Sequence, residues 1–233
     1  MRMLTRASCV VVLALILASP RLTAQASSGS DNFQWYIGPQ IGTIIFETPN
    51  QTRGAVFSAG GHMLITAKRT GLFISVDEGV TKNQVTSFSD ATAPAGASCG
   101  GASTGSRCVT FNDLRKYSFV LMAFPIRSHF QPFIGVGFGI MQTVKNYPSL
   151  VGTVSAAEVQ AAQDAANKAG SYGFGTAVGG VQVRAGRFAV FGQYQITTSP
   201  GNTKLIIGPT HTFQGGLRFG LGPSREAISG SGL

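Results

Sequence analysis

The feature that most constrains this chain is a two-residue alternation of bulky apolar residues with small or polar ones. In the segment FQPFIGVGFGIMQ, residues 130–142, a bulky apolar residue stands at every second position from Phe130 to Ile140. Glycine occupies positions 135, 137 and 139 between them. Because successive side chains of a β-strand point to opposite faces, this pattern predicts a strand with one apolar face and one nearly bare face.

The same alternation occurs in eight runs along the chain. They are residues 33–47, 55–68, 70–78, 116–126, 130–142, 172–184, 188–196 and 211–221. Short turns follow the second, fourth and sixth runs, and longer segments follow the first, third, fifth and seventh. This order predicts an antiparallel up-and-down meander with turns at one end and loops at the other. In the sixth run Phe174 and Val181 have opposite parities, which predicts a β-bulge near Gly179 and Gly180.

Two segments without this alternation are predicted to be long loops. Residues 79–112 are rich in Gly, Ser, Ala and Thr and show little periodicity. Residues 143–171 contain Ser155 and Glu158 at the spacing of a helix capping box, followed by Gly170 as a stop signal. We therefore expect a short, partly exposed helix inside the second loop.

Residues 1–26 have the pattern of a cleaved secretory signal peptide. Basic MRMLTR is followed by the apolar stretch CVVVLALILA and by Ala24-Gln25-Ala26, a small-x-small cleavage site. The apolar stretch is shorter than the roughly 20 residues of a membrane-spanning helix, which favours a cleaved signal over an uncleaved anchor. Loss of this segment would lower the formal net charge from +9 to +6. We expect a short linker at 27–32, the folded domain at 33–221 and a short tail at 222–233.

Cleavage would also remove Cys9 and leave Cys99 and Cys108. Two cysteines in one loop of an exported chain favour a disulfide. In the chain-entropy account, closing so short a loop contributes about 2–3 kcal/mol. A structural zinc site needs about four ligands, which this pair does not supply.

Eight meandering strands fit either a soluble ligand-binding barrel or a membrane barrel. A soluble barrel carries Lys, Glu and Asp on its polar face. Charged residues are only 12% of this chain, and the non-apolar face consists mainly of Gly, Gln, Ser and Thr. The fold class predicted is therefore all-β, an eight-stranded antiparallel up-and-down transmembrane β-barrel with a short helix in one long extracellular loop. The lumen-facing polar candidates are Gln34, Gln40, His62, Gln131, Gln193, Gln214 and Arg218. Tyr36, Phe133 and Met141 should fill the remaining space, so that no water-filled pore is expected.

Aromatic residues fall near the two ends of the predicted strands, as in the girdles of membrane barrels. If the short turns are periplasmic, one set lies near the inner interface: Phe33, Trp35, Phe130, Phe188 and Phe219. The other set lies near the outer interface: Tyr117, Phe119, Tyr194 and Phe213.

Three segments carry a resemblance to a known family. They are QPFIGVGFG (131–139), GGVQVRAGRFAVFGQYQI (179–196) and FQGGLRFGL (213–221). With them the chain resembles the small eight-stranded outer-membrane barrels of Gram-negative bacteria, the group of the outer membrane protein A transmembrane domain and the opacity proteins. The resemblance covers about residues 33–221. It implies location in the outer membrane, contact with outer-membrane lipids and lipopolysaccharide, and handling by the barrel-insertion machinery. Family members usually end at the closing aromatic, whereas PSREAISGSGL (223–233) follows it here.

The histidines are candidates for catalysis, because some outer-membrane lipid-modifying enzymes use His with Ser and an acid. Ser128 and His129 stand together in a short turn, and His211 has no Ser or acid at strand spacing. We expect polar residues at turns and rims, with His62 forming hydrogen bonds in the lumen. The glycines at 135–139 lack the helix and the G-K-[ST] ending of a nucleotide loop. No catalytic residue, cofactor or metal is predicted, and the positive charge shows no cluster that would bind nucleic acid.

These features predict a non-enzymatic outer-membrane barrel with a structural role in the envelope or a surface contact through its two long loops. An extracellular partner of those loops is not identified by any motif. Two alternatives remain open: an outer-membrane lipid-A deacylase or acyltransferase, and a soluble periplasmic barrel that binds an apolar ligand.

Overall fold

The computed structural model describes residues 33–100, 104–126, 128–201 and 203–221. The expected signal peptide at 1–26, linker at 27–32 and tail at 222–233 lie outside the described residues.

Across these ranges the chain forms nine strands and one helix, in the order β1–β6, α1, β7–β9. Their bounds are β1 Gln34–Thr48, β2 Gln51–Ala67, β3 Thr70–Gly79, β4 Gln84–Ser89, β5 Ser106–Ala123, β6 Phe130–Pro148, α1 Ala156–Ala169, β7 Ser171–Ala185, β8 Phe188–Thr197 and β9 Ile207–Gly220.

Eight of the described strands close into a ring, and each pairs antiparallel with both neighbours. The first and last strands pair, with Gln40 opposite Gly216. The ring also needs the β3–β5 pair, in which Ser75 stands opposite Ser118. Strand β4 pairs with residues 106–111 of β5, beyond the part of β5 that pairs with β3 and closes the ring. The predicted all-β, eight-stranded antiparallel barrel is confirmed.

The outer wall of the ring is a continuous apolar belt. On β6, Ile134, Val136 and Phe138 each leave about two thirds of their surface exposed. The other strands contribute similar outward residues: Trp35, Ile37, Ile41, Phe57, Leu121, Val181, Val183, Phe188, Val190, Phe213, Leu217 and Phe219. Lys, Arg, Asp and Glu are absent from these outward positions, and the outward pair of Glu78 and Arg115 lies nearer the loop end. A closed sheet with this outer surface is suited to lipid, because all its backbone groups are paired within the sheet.

Close strand approach requires glycine on the inward face of β6. A Cβ at Gly137 would lie 2.0 Å from the Phe119 carbonyl oxygen and 2.7 Å from Cα of Val120. A Cβ at Gly139 would lie 2.2 Å from the Tyr117 carbonyl oxygen. At these positions of the bare face, a side chain would collide with the backbone of β5.

The prediction of a β-bulge in the sixth run is wrong. Strand β7 pairs with β6 in unbroken register from Gln142–Ser171 to Phe130–Val183, and its pairing with β8 is also continuous. Phe174 points inward and Val181 outward. A regular strand accommodates both residues because they face opposite sides. The first half of β7 buries its aromatic residues inside the barrel and has glycine on the outside.

The connections also differ from the prediction. Strands β1 and β2 are joined by Pro49 and Asn50 alone, so the first run is followed by a tight turn rather than a longer segment. The segment 79–112 contains β4 and the start of β5, and β6 continues to Pro148. These strand extensions lie beyond the apolar belt. Because no apolar outer face is required there, the sequence does not alternate between apolar and polar residues.

The helix predicted in the second long loop is confirmed. Helix α1 has the capping box formed by Ser155 and Glu158, and its backbone ends at Gly170. Ala162, Ala166 and Ala169 form its buried stripe. Within the residues described, no helix is both long and apolar enough to cross a bilayer.

Candidate functional site: the barrel interior and the loop cap

The barrel interior consists of two apolar clusters separated by a polar layer. We call the end with the β2–β3, β5–β6 and β7–β8 turns the turn end, and the opposite end the loop end. The turn-end cluster comprises Tyr36, Leu64, Phe73, Val120, Met122, Phe124, Phe133, Val178 and Phe191. The loop-end cluster comprises Ile44, Phe46, Phe88, Val109, Phe111, Leu114, Met141, Ala166, Ala169, Tyr172, Phe174, Leu205 and Ile206. The turn-end cluster lies inside the ring, whereas the loop-end cluster also includes side chains from β4, α1 and the segment 205–206 beyond the loop end of the ring.

The polar layer is organised around the carboxylate of Asp77. Its Oδ1 accepts hydrogen bonds from Gln40 Nε2 at 2.5 Å and from Gln214 Nε2 at 2.7 Å. The hydroxyl of Ser75 donates to Oδ2 at 3.3 Å. Three strands therefore converge on one buried carboxylate.

The ammonium of Lys116 lies beside this carboxylate, with Nζ 4.0 Å from Asp77 Oδ2. It donates to Gln195 Oε1 and to Thr212 Oγ1, each at 3.0 Å. Gln195 in turn donates to Thr176 Oγ1 at 2.9 Å. The network therefore spans the lumen and links β3, β5, β7, β8 and β9.

A second cation, Arg218, is fully buried within the turn-end cluster. Its guanidinium carbon lies 4.0 Å from the Phe191 ring centre, 5.3 Å from that of Phe133 and 5.8 Å from that of Phe73. Its Nη1 donates to Gln182 Oε1, and Gln182 donates to Gln131 Oε1 at 2.7 Å.

His62 lies against the same aromatic side chains. Its ring centre is 5.3 Å from that of Phe73 and 5.0 Å from that of Phe191. Neither ring nitrogen has a hydrogen-bond partner within the described chain. The hydrogen bonds expected of His62 in the lumen are thus not formed by protein atoms there.

Arg184 marks the rim of the lumen at the turn end. It is half-buried, donates to Gln34 Oε1 at 3.0 Å and to the Tyr36 hydroxyl, and lies 5.4 Å above the Tyr36 ring. The rim is therefore polar and basic, immediately outside the aromatic cluster.

The structure places the lumen candidates at different depths. Gln40, Gln193 and Gln214 lie in the polar layer, His62, Gln131 and Arg218 near the turn end, and Gln34 at the rim. The sequence-based set lacks several buried polar residues, among them Asp77, Lys116, Gln182 and Gln195. Strand parity could have found Asp77, since Phe73 and Ser75 precede it on the inward face.

The aromatic residues predicted for the membrane interfaces lie on the outer wall in two groups. At the turn end, Phe188 packs on Phe219 with ring centres 5.2 Å apart. Towards the loop end, Tyr194 lies 4.9 Å from Phe213, and Phe119 stacks on Phe138 at 5.6 Å. Tyr117 is half-buried, while Phe33, Trp35 and Phe130 are exposed.

The loop end carries a cap, which we define as the described residues within 84–112, 145–170 and 198–206. Cys99 and Cys108 form a disulfide within it. Arg107 Nε lies 2.5 Å from Asp90 Oδ2, and both side chains are almost fully buried. Burial raises the pKa of Asp90, but hydrogen bonds from Thr92 and Arg107 outweigh it and hold that pKa below its ordinary value.

Hydrogen bonds connect the parts of the cap. Arg107 Nη1 donates to the Ser149 carbonyl at 2.9 Å, which links β5 to the segment after β6. Lys204 Nζ donates to the carbonyls of Lys168 and Ser171, each at 2.7 Å. The pKa of Lys204 is lowered by partial burial and by the charge of Lys168. At the start of α1, hydrogen bonds from Ser155 lower the pKa of Glu158.

The outer side of the cap presents a short apolar row. Val85 on β4 stands opposite Thr110 on β5, which stands opposite Tyr147 on β6. Val85 and Tyr147 are exposed, as are Leu150 and Val151 in the next segment. This row lies above the belt, at the end farthest from the short turns.

The histidines do not form nucleophile–base pairs in the described residues. The Ser128 hydroxyl donates to the Phe130 carbonyl, and His129 Nδ1 lies 3.3 Å from the Arg184 carbonyl oxygen. His211 Nδ1 lies 2.6 Å from the Tyr194 hydroxyl on the outer wall. A group of three or more His, Cys, Asp or Glu side chains able to hold a metal ion is absent from the described ranges.

No family model matches the sequence, and no curated protein matches it. The fold is similar to several solved structures. Neisserial surface protein A aligns with a TM-score of 0.49 at 12% identity, over 79% of this chain and 96% of that one. The N-terminal β-barrel domain of Pseudomonas aeruginosa OprF gives 0.40 at 7% identity, over 79% and 97%. The outer membrane protein OprG of Pseudomonas aeruginosa gives 0.36 at 11% identity, over 82% and 95%. At these identities the likeness concerns the fold alone.

Proposed function

We propose that this chain is a non-enzymatic β-barrel protein of the bacterial outer membrane, which anchors an ordered surface cap in the envelope. The observation that carries the proposal is the arrangement of its faces. Apolar side chains face outward around the whole ring, and the charged pair of Asp77 and Lys116 is buried inside. A soluble lipocalin-like barrel requires the opposite arrangement, so the apolar-ligand alternative is not supported. The outer membrane is the bacterial membrane that holds barrels of this kind.

The filled interior supports a role other than transport. Eight strands enclose only enough space for side chains, and here two aromatic clusters and a polar layer occupy it. The function is therefore assigned to the surfaces: the wall contacts membrane lipids, and the cap is available for contact outside the cell. We expect lipopolysaccharide around the loop end and the barrel-insertion machinery as a transient partner during assembly.

Surface contact is the finer part of the proposal, and the construction of the cap supports it. The disulfide, the buried Arg107–Asp90 pair and the docked helix hold the cap in one conformation. A rigid surface loses less conformational entropy on binding than a flexible loop does. The exposed row of Val85, Tyr147, Leu150 and Val151 provides apolar area for such a contact.

The proposal is tested first by outer-membrane fractionation and by gel mobility with and without boiling. A membrane-fraction band whose mobility changes on boiling is expected for a closed barrel. A second test inserts an epitope tag after Gly152 in the cap, or after Gly186 in the β7–β8 turn as the matched control. Antibody should label intact cells that carry the insertion after Gly152 and should not label those that carry the insertion after Gly186. A soluble protein, or labelling at Gly186 alone, would contradict the location or the orientation.

The lipid-modifying alternative is tested separately with His62→Ala and His211→Ala variants. We expect the lipid-A profile of cells to be the same for both variants and for the unmodified protein. A profile that changes on expression of the protein and reverts in either variant would establish the enzymatic alternative.

A further inference from the structure

We propose that the turn-end half of the lumen binds a small inorganic anion of halide size, held by Arg218 and His62 against the rings of Phe73 and Phe191. The first observation is an imbalance of buried charge. Within the described strands, the fully buried charged groups of the lumen are Asp77, Lys116 and Arg218. Asp77 and Lys116 offset each other. Arg218 has no carboxylate partner in the described residues, and an unpaired buried charge is strongly unfavourable.

The second observation is a set of buried donors that lack partners. Arg218 uses Nη1 for Gln182, while Nε and Nη2 have no hydrogen-bond partner among the described residues. These two atoms carry three of the five N–H donors of a guanidinium. His62, also buried, offers a further N–H from an unpartnered ring nitrogen. A group that accepts hydrogen bonds and carries negative charge would satisfy these donors and offset the charge of Arg218, and an inorganic anion does both.

The surroundings limit the size and hydration of this anion. Arg218 and His62 both lie against Phe73 and Phe191, so the unpartnered donors of the two side chains are surrounded by aromatic rings. Aromatic ring edges carry partial positive charge, and these rings cannot replace the hydration shell of a strongly hydrated anion. A weakly hydrated, spherical ion such as bromide or chloride matches this lining better than phosphate or sulfate.

The turn end carries basic side chains that attract anions. Lys68, Arg69, Arg184 and Arg187 lie there, and every described Asp and Glu lies at the level of Asp77 or closer to the loop end. A mouth lined by one sign of charge raises the local concentration of the opposite ion. From the rim, Gln131 and Gln182 form a hydrogen-bonded series that ends at Arg218.

The test measures the thermal midpoint of the refolded full barrel in detergent, read as gel mobility after heating, with sodium bromide or sodium fluoride at equal ionic strength. Ligand linkage predicts that bromide at ten times its Kd raises the midpoint by roughly 3–6 °C. Fluoride, which is strongly hydrated, should not. The bromide response should be lost in Arg218→Met and weakened in His62→Phe. Arg53→Met is the matched control, because Arg53 is an exposed cation on β2 near the loop end; it should keep the response.

If Arg218→Met does not refold, a direct measurement on the unmodified protein tests the proposal. Crystals of the unmodified protein soaked in bromide should give an anomalous difference peak beside Arg218 and His62. Peaks confined to the outer surface would mean an adventitious ion only, and would overturn the proposal. An equal bromide response in the unmodified protein and in Arg218→Met would also overturn it.

Discussion

Asp77 on β3 and Lys116 on β5 stand directly opposite each other in the ring, with Nζ and Oδ2 4.0 Å apart. Both side chains are buried at the centre of the lumen, and amides and hydroxyls from other strands supply their remaining contacts. In a low dielectric, removing one partner of such a pair lowers the free energy of unfolding strongly, because a buried charge is left unpaired. Replacing both partners by uncharged residues costs much less.

We therefore predict strong non-additivity for this pair. Lys116→Met should lower the free energy of unfolding by about 3–5 kcal/mol, since it leaves a buried carboxylate without its cation. The double variant Asp77→Asn, Lys116→Met should be closer to the unmodified protein in stability. Urea unfolding of refolded barrels in detergent measures both effects. Additive losses would show that the two groups are not coupled.

The apolar belt makes a second prediction. Val136→Arg places a charge in the middle of the belt, where the wild-type side chain is 66% exposed. The cost in lipid is about 2–4 kcal/mol, so the fraction that refolds into vesicles and shows heat-modified mobility should fall. Val85→Arg, on the cap above the belt, is the matched control and should refold normally. Equal refolding of the two variants would mean that the belt does not contact lipid.

The close approach of β5 and β6 makes a third prediction. A Cβ at Gly139 would lie 2.2 Å from the Tyr117 carbonyl oxygen and 2.4 Å from Cζ of Phe174. Gly139→Val should therefore destabilise the barrel by at least the roughly 1–3 kcal/mol typical of overpacking. At Gly179 a Cβ meets nothing within 4 Å, and Gly179→Val is expected to be tolerated. The thermal midpoint of the gel-mobility change compares the two, and a tolerated Gly139→Val would argue against this strand separation.

The lowered pKa of Asp90 makes a prediction about pH. Because this pKa is lower in the folded cap than in the unfolded chain, its contribution to stability is present above the unfolded value of about 3.9 and is lost as pH falls through the folded value. Asp90→Asn should remove about 1.5–3 kcal/mol at neutral pH, as for a hydrogen bond to a charged group.

The reduction rate of the Cys99–Cys108 disulfide by a phosphine reductant reports opening of the cap at each pH. Reduction should be faster in Asp90→Asn than in the unmodified protein at pH 6, and the two rates should converge in acid. A rate difference that stays constant as the pH falls from 6 to well below the unfolded value of about 3.9 would contradict the linkage.

The disulfide itself makes a prediction confined to the cap. Replacing Cys99 and Cys108 by Ser should lower the stability of the cap by about 2–3 kcal/mol in the chain-entropy account. Protease cleavage between residues 91 and 106 should accelerate, while the gel mobility of the unboiled barrel stays unchanged, because β4 pairs outside the ring. Loss of the heat-modified band would show that the cap also holds the ring closed.

The sequence predicts the barrel wall well because the bilayer imposes one strong contrast on every strand. Ile134 and Val136 had to face lipid, and their parity alone assigns Phe133 to the interior. The capping box of α1 is similarly local, since Ser155 and Glu158 are three positions apart.

Two kinds of feature were not predictable in this way. Strand β4 and residues 51–54 of β2 lie beyond the belt, so nothing requires them to alternate and they resemble loop. The partner of Asp77 is 39 residues away in the chain, at Lys116, and only the closure of β3 on β5 brings them together. The unmatched charge of Arg218 likewise appears only when the whole interior is compared.

The pairing of β1 with β9 has a consequence for the order of assembly. Before residues 207–220 are in place, the first strand and the eighth both present unpaired N–H and C=O groups along a full edge. Hydrocarbon offers these groups no hydrogen-bond partners. A chain that lacks β9 is therefore unstable within the bilayer. We therefore expect the strands to insert together only once β9 is available, so that a substitution that weakens β9 impairs insertion of the whole barrel.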